Sequence, residues 1–266
     1  MLGAIIGDIV GSRYESFNIK WKDFELFSDE LCCPTDDTIM TLAIADAVTD
    51  CRKYHDYEHL EYAAIIKMRL YGRVYPNAGY GRRFYDWIWS DIPKPYESYG
   101  NGAVMRVSPC GFAAKSLEEA EQMAEAVTKV THNHPDAIQA AKTIAGVIFL
   151  GKSGRSKVDL RTYFEKNYRT IDFTLNDIRK DYSFDVSCSG SVPQAFEAFY
   201  EAVNFEDAIR NAISIGGDSD TIAAITGSIA ETYYEIPKDI SKHAMKFLDK
   251  RQKKILTTFE KEFQQG

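Results

Sequence analysis

The chain has 266 residues and a mass of 30.1 kDa, with 45% apolar and 27% charged residues. This balance is typical of a globular chain rather than a disordered one, and the length favours one large domain over residues 1–266. The net charge of −7 argues against nonspecific binding to nucleic acid or to anionic membranes. With no signal peptide, no bilayer-spanning apolar run and no CxxC spacing, we expect a cytoplasmic protein without membrane attachment and with reduced thiols.

The first predicted helix, over residues 2–14, carries small residues along one stripe. Each glycine costs a helix about 1 kcal/mol relative to alanine, so several in one short helix imply close contact with another backbone or a ligand. Asp8 on this helix is interpreted as a buried structural acid bonded to a loop backbone, in preference to a catalytic group. Glu15 lies where the helix passes into a predicted loop, 17–31, and can face a cleft. The stripe consists of Gly3, Ala4, Gly7 and Gly11.

Two acidic stretches, Pro34–Thr38 and Gly216–Thr221, each precede an apolar helix. Asp, Ser and Thr are preferred helix N-caps, so each stretch alone is most simply interpreted as a cap. However, a cap needs one oxygen and each stretch offers three. If the two helix starts meet in space, their four carboxylates require cations. Oxygen ligands with no neighbouring Cys or His pair favour Mg²⁺, Mn²⁺ or Ca²⁺ over zinc.

Interleaved glycine and tyrosine residues between positions 71 and 102 suit a surface that approaches a ligand and stacks on it. An aromatic cluster packed under a long loop is the alternative, and the residues alone leave both open. His132-x-His134 resembles a transition-metal pair, but the absence of a third soft ligand nearby argues against that interpretation.

Apolar periodicity predicts an all-α fold, since no alternating strand pairs joined by tight turns are found. Ser116 to Glu119 has the pattern of a capping box, and Pro135 suits a first helical position. Polar loops are predicted at 152–158 and 169–190. Beyond the first helix, the predicted helices are 36–52, 57–72, 81–90, 117–130, 135–151, 157–167, 191–203, 205–215, 220–233 and 238–264.

Five motifs, in an order that spans nearly the whole chain, resemble those of the ADP-ribosylglycohydrolases. They are Gly7–Glu15, Thr35–Thr38, Ser98–Arg106, Thr131-His132 and Gly217–Thr221. The resemblance implies a single compact multi-helix orthogonal bundle with a central binuclear metal site.

The resemblance also implies roles for individual residues. Two Mg²⁺ ions, with Mn²⁺ as a possible substitute, are expected at the two acidic stretches, and Glu15 is expected to act as the catalytic acid or base. The implied metal ligands are Thr35, Asp36, Asp37, Asp218, Asp220 and Thr221. The implied substrate-binding residues are Gly79, Tyr80, Gly81, Ser98, Tyr99, Gly100, Asn101 and His132.

The implied reaction is metal-dependent hydrolysis of the N- or O-glycosidic bond between ADP-ribose and a modified protein or other acceptor. A catalytically degenerate ADP-ribose-binding protein is one alternative, although all six implied metal positions and Glu15 carry suitable oxygens. A helical metal-dependent nucleotide phosphohydrolase is another, although it would ordinarily use His-Asp ligands. The segment after Glu15 contains Trp21, Phe24 and Phe27 and differs from the family pattern. The acceptor, whether arginine, serine, a nucleic-acid base or a small molecule, therefore stays open.

Overall fold

The computed structural model describes residues 1–54 and 59–263. Over these ranges the chain forms fourteen α-helices and one short 3₁₀ turn, Asn101–Ala103, and it contains no β-strand. The predicted all-α class is therefore confirmed. The helices are α1 (Leu2–Glu15), α2 (Asp36–Tyr54), α3 (Leu60–Val74), α4 (Arg82–Trp89), α5 (Ser108–Ala113), α6 (Leu117–Lys129), α7 (Pro135–Lys152), α8 (Lys157–Asn167), α9 (Leu175–Ile178), α10 (Cys188–Glu201), α11 (Phe205–Ser214), α12 (Ser219–Tyr233), α13 (Lys238–Phe247) and α14 (Lys250–Phe263).

Helices α1 and α12 form the centre of the bundle, and their backbones touch. A Cβ placed on Gly3 would lie 2.2 Å from the Gly227 carbonyl oxygen, and one on Gly7 would lie 2.0 Å from the Ala223 carbonyl oxygen. No larger side chain fits at these contacts, which explains the glycine stripe predicted to lie against another backbone. Because Gly3 meets Gly227 and Gly7 meets Ala223, the two helices are antiparallel, and the end of α1 lies beside the start of α12.

The predicted single helix 238–264 is two helices. Leu248 is extended, with φ −83° and ψ 138°, and Asp249 immediately precedes α14. The Asp249 carboxylate accepts from the Gln252 N–H at 2.8 Å, and the Gln252 side-chain oxygen accepts from the Asp249 N–H at 2.8 Å. This reciprocal cap stops α13 from continuing into α14. Residue 264 lies outside the described residues.

Other boundaries differ by small amounts. Helix α10 begins at Cys188 rather than at 191, because the Ser187 hydroxyl accepts from the Gly190 N–H at 3.0 Å. Helix α9, inside the predicted loop 169–190, is capped by Thr174 and Asp177 in the same reciprocal way. The predicted start of the third helix, at 57–58, falls outside the described residues.

Two further expectations concern membrane-spanning helices and the cysteine thiols. No helix in residues 1–54 and 59–263 is long and apolar enough to cross a bilayer. All five cysteines lie within these ranges and are thiols, as predicted.

Candidate active site

Asp8 fixes the start of α2 against α1. Its Oδ2 accepts from the backbone N–H groups of Thr35 at 2.9 Å and Thr38 at 3.0 Å, and its Oδ1 accepts from the Thr35 hydroxyl at 2.6 Å. The side chain is fully buried. The burial of Asp8 and its bonds to backbone N–H groups are as predicted.

Helix α12 brings the second acidic stretch to the same point. Gly216 and Gly217 have φ of 71° and 79°, a left-handed conformation that glycine adopts without a steric penalty. The turn they form leads into Asp218 at the start of α12. The Thr221 hydroxyl then donates to Asp37 Oδ2 at 3.1 Å, which ties the start of α12 to the start of α2.

Carboxylate oxygens from α1 and from the starts of α2 and α12 converge in two groups. Asp8, Asp37 and Asp220 form one group, and Glu15, Asp218 and Asp220 form the other; within each group one oxygen from every residue lies within 4.8 Å of the others. Asp220 therefore belongs to both groups. The two acidic stretches do meet, as the sequence analysis required for a cation site.

Burial and mutual repulsion raise the pKa values of these acids. Burial and then the charges of Asp8 and Asp218 raise the pKa of Asp36 to about 8. Burial and neighbouring carboxylates hold the pKa values of Asp37 and Asp220 well above their ordinary range. Without cations, part of this cluster must retain protons at neutral pH.

The donors fit hard divalent cations. Asp37 Oδ1 is buried and has no hydrogen-bond partner among the described residues, which is costly unless a cation or a proton occupies that position. The hydroxyl protons of Thr35 and Thr221 point to carboxylates, so each oxygen keeps a lone pair for a ligand. Neither group of converging side chains contains Cys or His, so the donor set suits Mg²⁺ or Mn²⁺ better than zinc.

The acids line one end of a cavity of about 480 Å³. The cavity is also lined by Gly79, Gly81, Ser98, Gly100, Asn101, Gly102 and His132. Thirteen of the fifteen residues that the sequence analysis proposed for the site line this cavity. They are Glu15, Thr35, Asp36, Asp37, Gly79, Gly81, Ser98, Gly100, Asn101, His132, Asp218, Asp220 and Thr221.

The remaining two predicted residues, Tyr80 and Tyr99, do not line the cavity. Tyr80 packs against Phe84 with ring centroids 5.6 Å apart, and its buried hydroxyl has no partner in the described part of the chain. Tyr99 is 57% exposed and contacts His134 edge-on, with centroids 5.6 Å apart. Their assignment to substrate binding stays a prediction.

The backbone of the 98–102 segment is already partly engaged. The Gly100 N–H donates to Ser98 Oγ at 3.2 Å, and the Asn101 N–H donates to the Val186 carbonyl at 2.8 Å. These two backbone N–H groups are therefore already used and are not free to bind an anion. Instead, the Asn101 side chain donates to Asp218 Oδ2 at 2.6 Å and orients that acid.

Comparison with known proteins assigns the chain to a family. The sequence model described as ADP-ribosylglycohydrolase matches residues 1–260. The chain belongs to the ADP-ribosylglycohydrolase family. A solved structure described as an ADP-ribosylglycohydrolase-related protein complex matches with a TM-score of 0.72 at 20% identity, covering 98% of this chain and 96% of that chain, which shows a shared fold.

Two named relatives match most of this chain. The ADP-ribosylarginine hydrolase Tri1 of Pseudomonas putida is 26% identical over 268 residues, which is 89% of this chain and 70% of the relative. The ADP-ribosylhydrolase ARH3 of Xenopus tropicalis is 26% identical over 307 residues, which is 88% of this chain and 85% of the relative.

In this family member, Asn18 is a site residue that the sequence analysis missed. Its Nδ2 donates to the carbonyls of Tyr14 at 2.7 Å, Glu15 at 3.0 Å and Gly217 at 2.9 Å, and its Oδ1 accepts from the Gly217 N–H at 2.7 Å. One side chain thus joins the end of α1 to the turn before α12. It sets the position of Glu15 relative to Asp218. A lone asparagine in a loop carries no spacing signal that would have found it.

The cavity also contains residues to which the motifs gave no role. Phe184 and Val186 line it and are 54% and 51% exposed, so they form an apolar rim. Arg106, the last residue of the Ser98–Arg106 motif, lines it from the interior and is 1% exposed. The position of Arg106 in the motif was the available sign that it belongs to the site. That position alone does not indicate that its guanidinium group is buried.

Proposed function

We propose that the protein is a divalent-metal-dependent hydrolase that cleaves the N- or O-glycosidic bond between ADP-ribose and a modified acceptor and releases ADP-ribose. The observation that carries the proposal is the meeting of Glu15, Asp218 and Asp220 within 4.8 Å at one end of a cavity. Family membership supports hydrolysis at an ADP-ribosyl bond. Tri1 and ARH3, named as hydrolases of this type, support the same class of reaction.

Two Mg²⁺ ions, or Mn²⁺ in their place, would be held by the two acidic stretches. When bound, such ions bind sugar hydroxyls and stabilise negative charge on oxygen. The residues proposed to hold them are Thr35, Asp36, Asp37, Asp218, Asp220 and Thr221.

Glu15 is the proposed acid or base. Burial, followed by the charges of Asp218 and Asp8, raises the pKa of Glu15 above the ordinary value for glutamic acid. A raised pKa brings a carboxyl group closer to the range in which it can both accept and return a proton near neutral pH. The Glu15 carboxylate would take a proton from the attacking water as its oxygen bonds to the anomeric carbon. The same proton would then pass to the acceptor atom released when the glycosidic bond breaks.

The part of the cavity away from the acids would hold the rest of ADP-ribose. Ser98, Gly100 and His132 offer small or polar surfaces along this wall, and Phe184 offers a ring at the rim for stacking on the adenine base. Enclosing the substrate between the rim and the acid cluster would also exclude bulk water from the reacting bond.

The proposal is tested with a panel of defined substrates: ADP-ribosylated arginine, serine and DNA, assayed for released ADP-ribose in Mg²⁺. The arginine acceptor named for the Pseudomonas relative is the first to examine. Release from at least one substrate, absent from an Asp220→Asn preparation purified in parallel, is expected. Tight ADP-ribose binding without release from any member of the panel would favour the binding-only alternative.

A further inference from the structure

A buried chain of hydrogen bonds lies behind the cavity wall and runs from Arg106 through Thr131 to His132. Arg106 Nη2 donates to Thr131 Oγ1 at 2.6 Å, and the same oxygen lies 2.8 Å from His132 Nδ1. All three side chains are buried. The 2.8 Å contact is short and specific, but its length alone does not say whether the hydroxyl or the ring supplies the proton.

The carbonyl of Thr128 decides the direction of this hydrogen bond. That oxygen accepts from the backbone N–H groups of Thr131 at 3.1 Å and His132 at 2.9 Å, so both of its lone pairs are used. The Thr131 hydroxyl lies 3.4 Å from it, too far for a good third bond. Arg106 can only donate. The remaining acceptor for the hydroxyl proton is Nδ1 of His132.

The imidazole of His132 is neutral in this environment. Burial, followed by the positive charges of Arg106 and Arg83, holds the pKa of His132 well below its ordinary range. A neutral imidazole carries one ring proton. Because Nδ1 accepts from Thr131, that proton must be on Nε2.

Nε2 of His132 lies on the cavity side of the ring. A Cβ placed on Gly102 would lie 3.4 Å from this nitrogen, and a Cβ placed on Gly100 would lie 3.7 Å from it. His132 lines the cavity, and no hydrogen bond to Nε2 is made by the residues that the structure describes. A buried ring thus presents an unpartnered N–H beside two glycines that leave room for a ligand atom.

We propose that Thr131, held in place by Arg106, is a positioning residue that locks His132 in the Nε2–H tautomer, so that the cavity wall presents a neutral donor for an acceptor oxygen of the ligand. Sugar and phosphate oxygens are such acceptors. The identity of the ligand as ADP-ribose rests on the proposed function, whereas the tautomer does not.

The tautomer is measured directly by ¹⁵N NMR of the full chain labelled at histidine, without ligand, with His132→Gln identifying the His132 signals. We expect an unprotonated Nδ1 and a protonated Nε2 from pH 6.5 to 8. Thr131→Ser, which retains the hydroxyl, should keep this pattern. Thr131→Val, which retains the shape but not the hydroxyl, should give a mixture of tautomers.

A protonated Nδ1 in the wild-type protein would overturn the proposal, and this result does not depend on how well the valine variant folds. An unchanged tautomer in a folded Thr131→Val variant would also overturn it. In calorimetry, ADP-ribose should bind about tenfold more weakly to Thr131→Val and with nearly wild-type affinity to Thr131→Ser. Failure of the wild-type protein to bind ADP-ribose would count against the proposed function and leave the tautomer result standing.

Discussion

Asp220→Asn should stabilise the metal-free protein, although it removes a central side chain of the site. Asp220 is 4% exposed and belongs to both groups of converging acids. Asparagine keeps the shape of the side chain and an oxygen that can accept from the Thr221 N–H, a bond of 3.0 Å in the wild type. The substitution therefore removes charge with little other change.

The expected gain in stability follows from the distances between the carboxylate oxygens. Two full charges 4.8 Å apart repel by about 3.5 kcal/mol at an effective dielectric constant of about 20. Partial protonation of the cluster reduces this value, so we expect a gain of about 1–3 kcal/mol in the free energy of unfolding at pH 8.5. For a chain of this length that corresponds to a rise of roughly 2–10 °C in Tm.

The gain should depend on pH in a defined direction. The pKa of Asp220 is raised in the folded state, so the folded protein binds more protons than the unfolded chain between about pH 4 and that raised value. Stability contributed by the protonated form is lost as pH rises through this window, and asparagine avoids the loss. Because the pKa of His132 is lowered in the folded state, the contribution of His132 to stability rises with pH, but only below about pH 6.5. Stability is therefore compared at pH 6.5 and pH 8.5.

Thermal unfolding followed by circular dichroism, in chelator and in Mg²⁺, measures both effects. In Mg²⁺ at about 100 times its Kd, binding should raise the free energy of unfolding of the wild type by about 2.7 kcal/mol. For Asp220→Asn the increase should be small. Asp172→Asn, an exposed acid in the loop before α9, is the matched control and should behave as the wild type. A variant no more stable than the wild type in chelator at pH 8.5, or one with an undiminished Mg²⁺ shift, would refute the reasoning.

Four further substitutions separate chemistry from binding. Glu15→Gln should lower kcat by about 10²–10⁴-fold with little change in ADP-ribose affinity, and loss of calorimetric binding would instead make Glu15 structural. Asn18→Ala should lower kcat by about 10–100-fold because the end of α1 is no longer held against Gly217, and an unchanged kcat would contradict this role. Phe184→Ala should weaken ADP-ribose binding by roughly 5- to 150-fold, because Phe184 lines the cavity. Tyr99→Ala should weaken binding by about threefold or less, because Tyr99 does not line it. If a binding titration gives the reverse order, the stacking role first predicted for Tyr99 is restored.

The sequence was most informative where residue type had one physical explanation. Three glycines in a short helix required a close neighbour, and α1 has one in α12. Asp8, a lone acid among apolar residues, required backbone donors and has them at Thr35 and Thr38. Neither pattern could name the partner element, because the contact depends on how α1 and α12 cross.

The sequence was least informative where one side chain joins segments far apart in the chain. Asn18 reaches Gly217 across nearly two hundred positions, and no local spacing records that contact. The orientations of Tyr80 and Tyr99 likewise depend on how their loops fold back on the bundle. The break before α14 is a different case, because the Asp249 to Gln252 capping pattern was present in the sequence.

The most direct test of a metal-dependent hydrolase at this acid cluster is turnover as a function of bound metal. The protein is stripped with chelator, shown by metal analysis to be empty, and titrated with Mg²⁺ while ADP-ribose released from the best substrate of the panel is recorded. We predict no turnover in the stripped protein, recovery with Mg²⁺ or Mn²⁺, and poor recovery with zinc. Full release of ADP-ribose by the stripped protein in excess chelator would contradict the account.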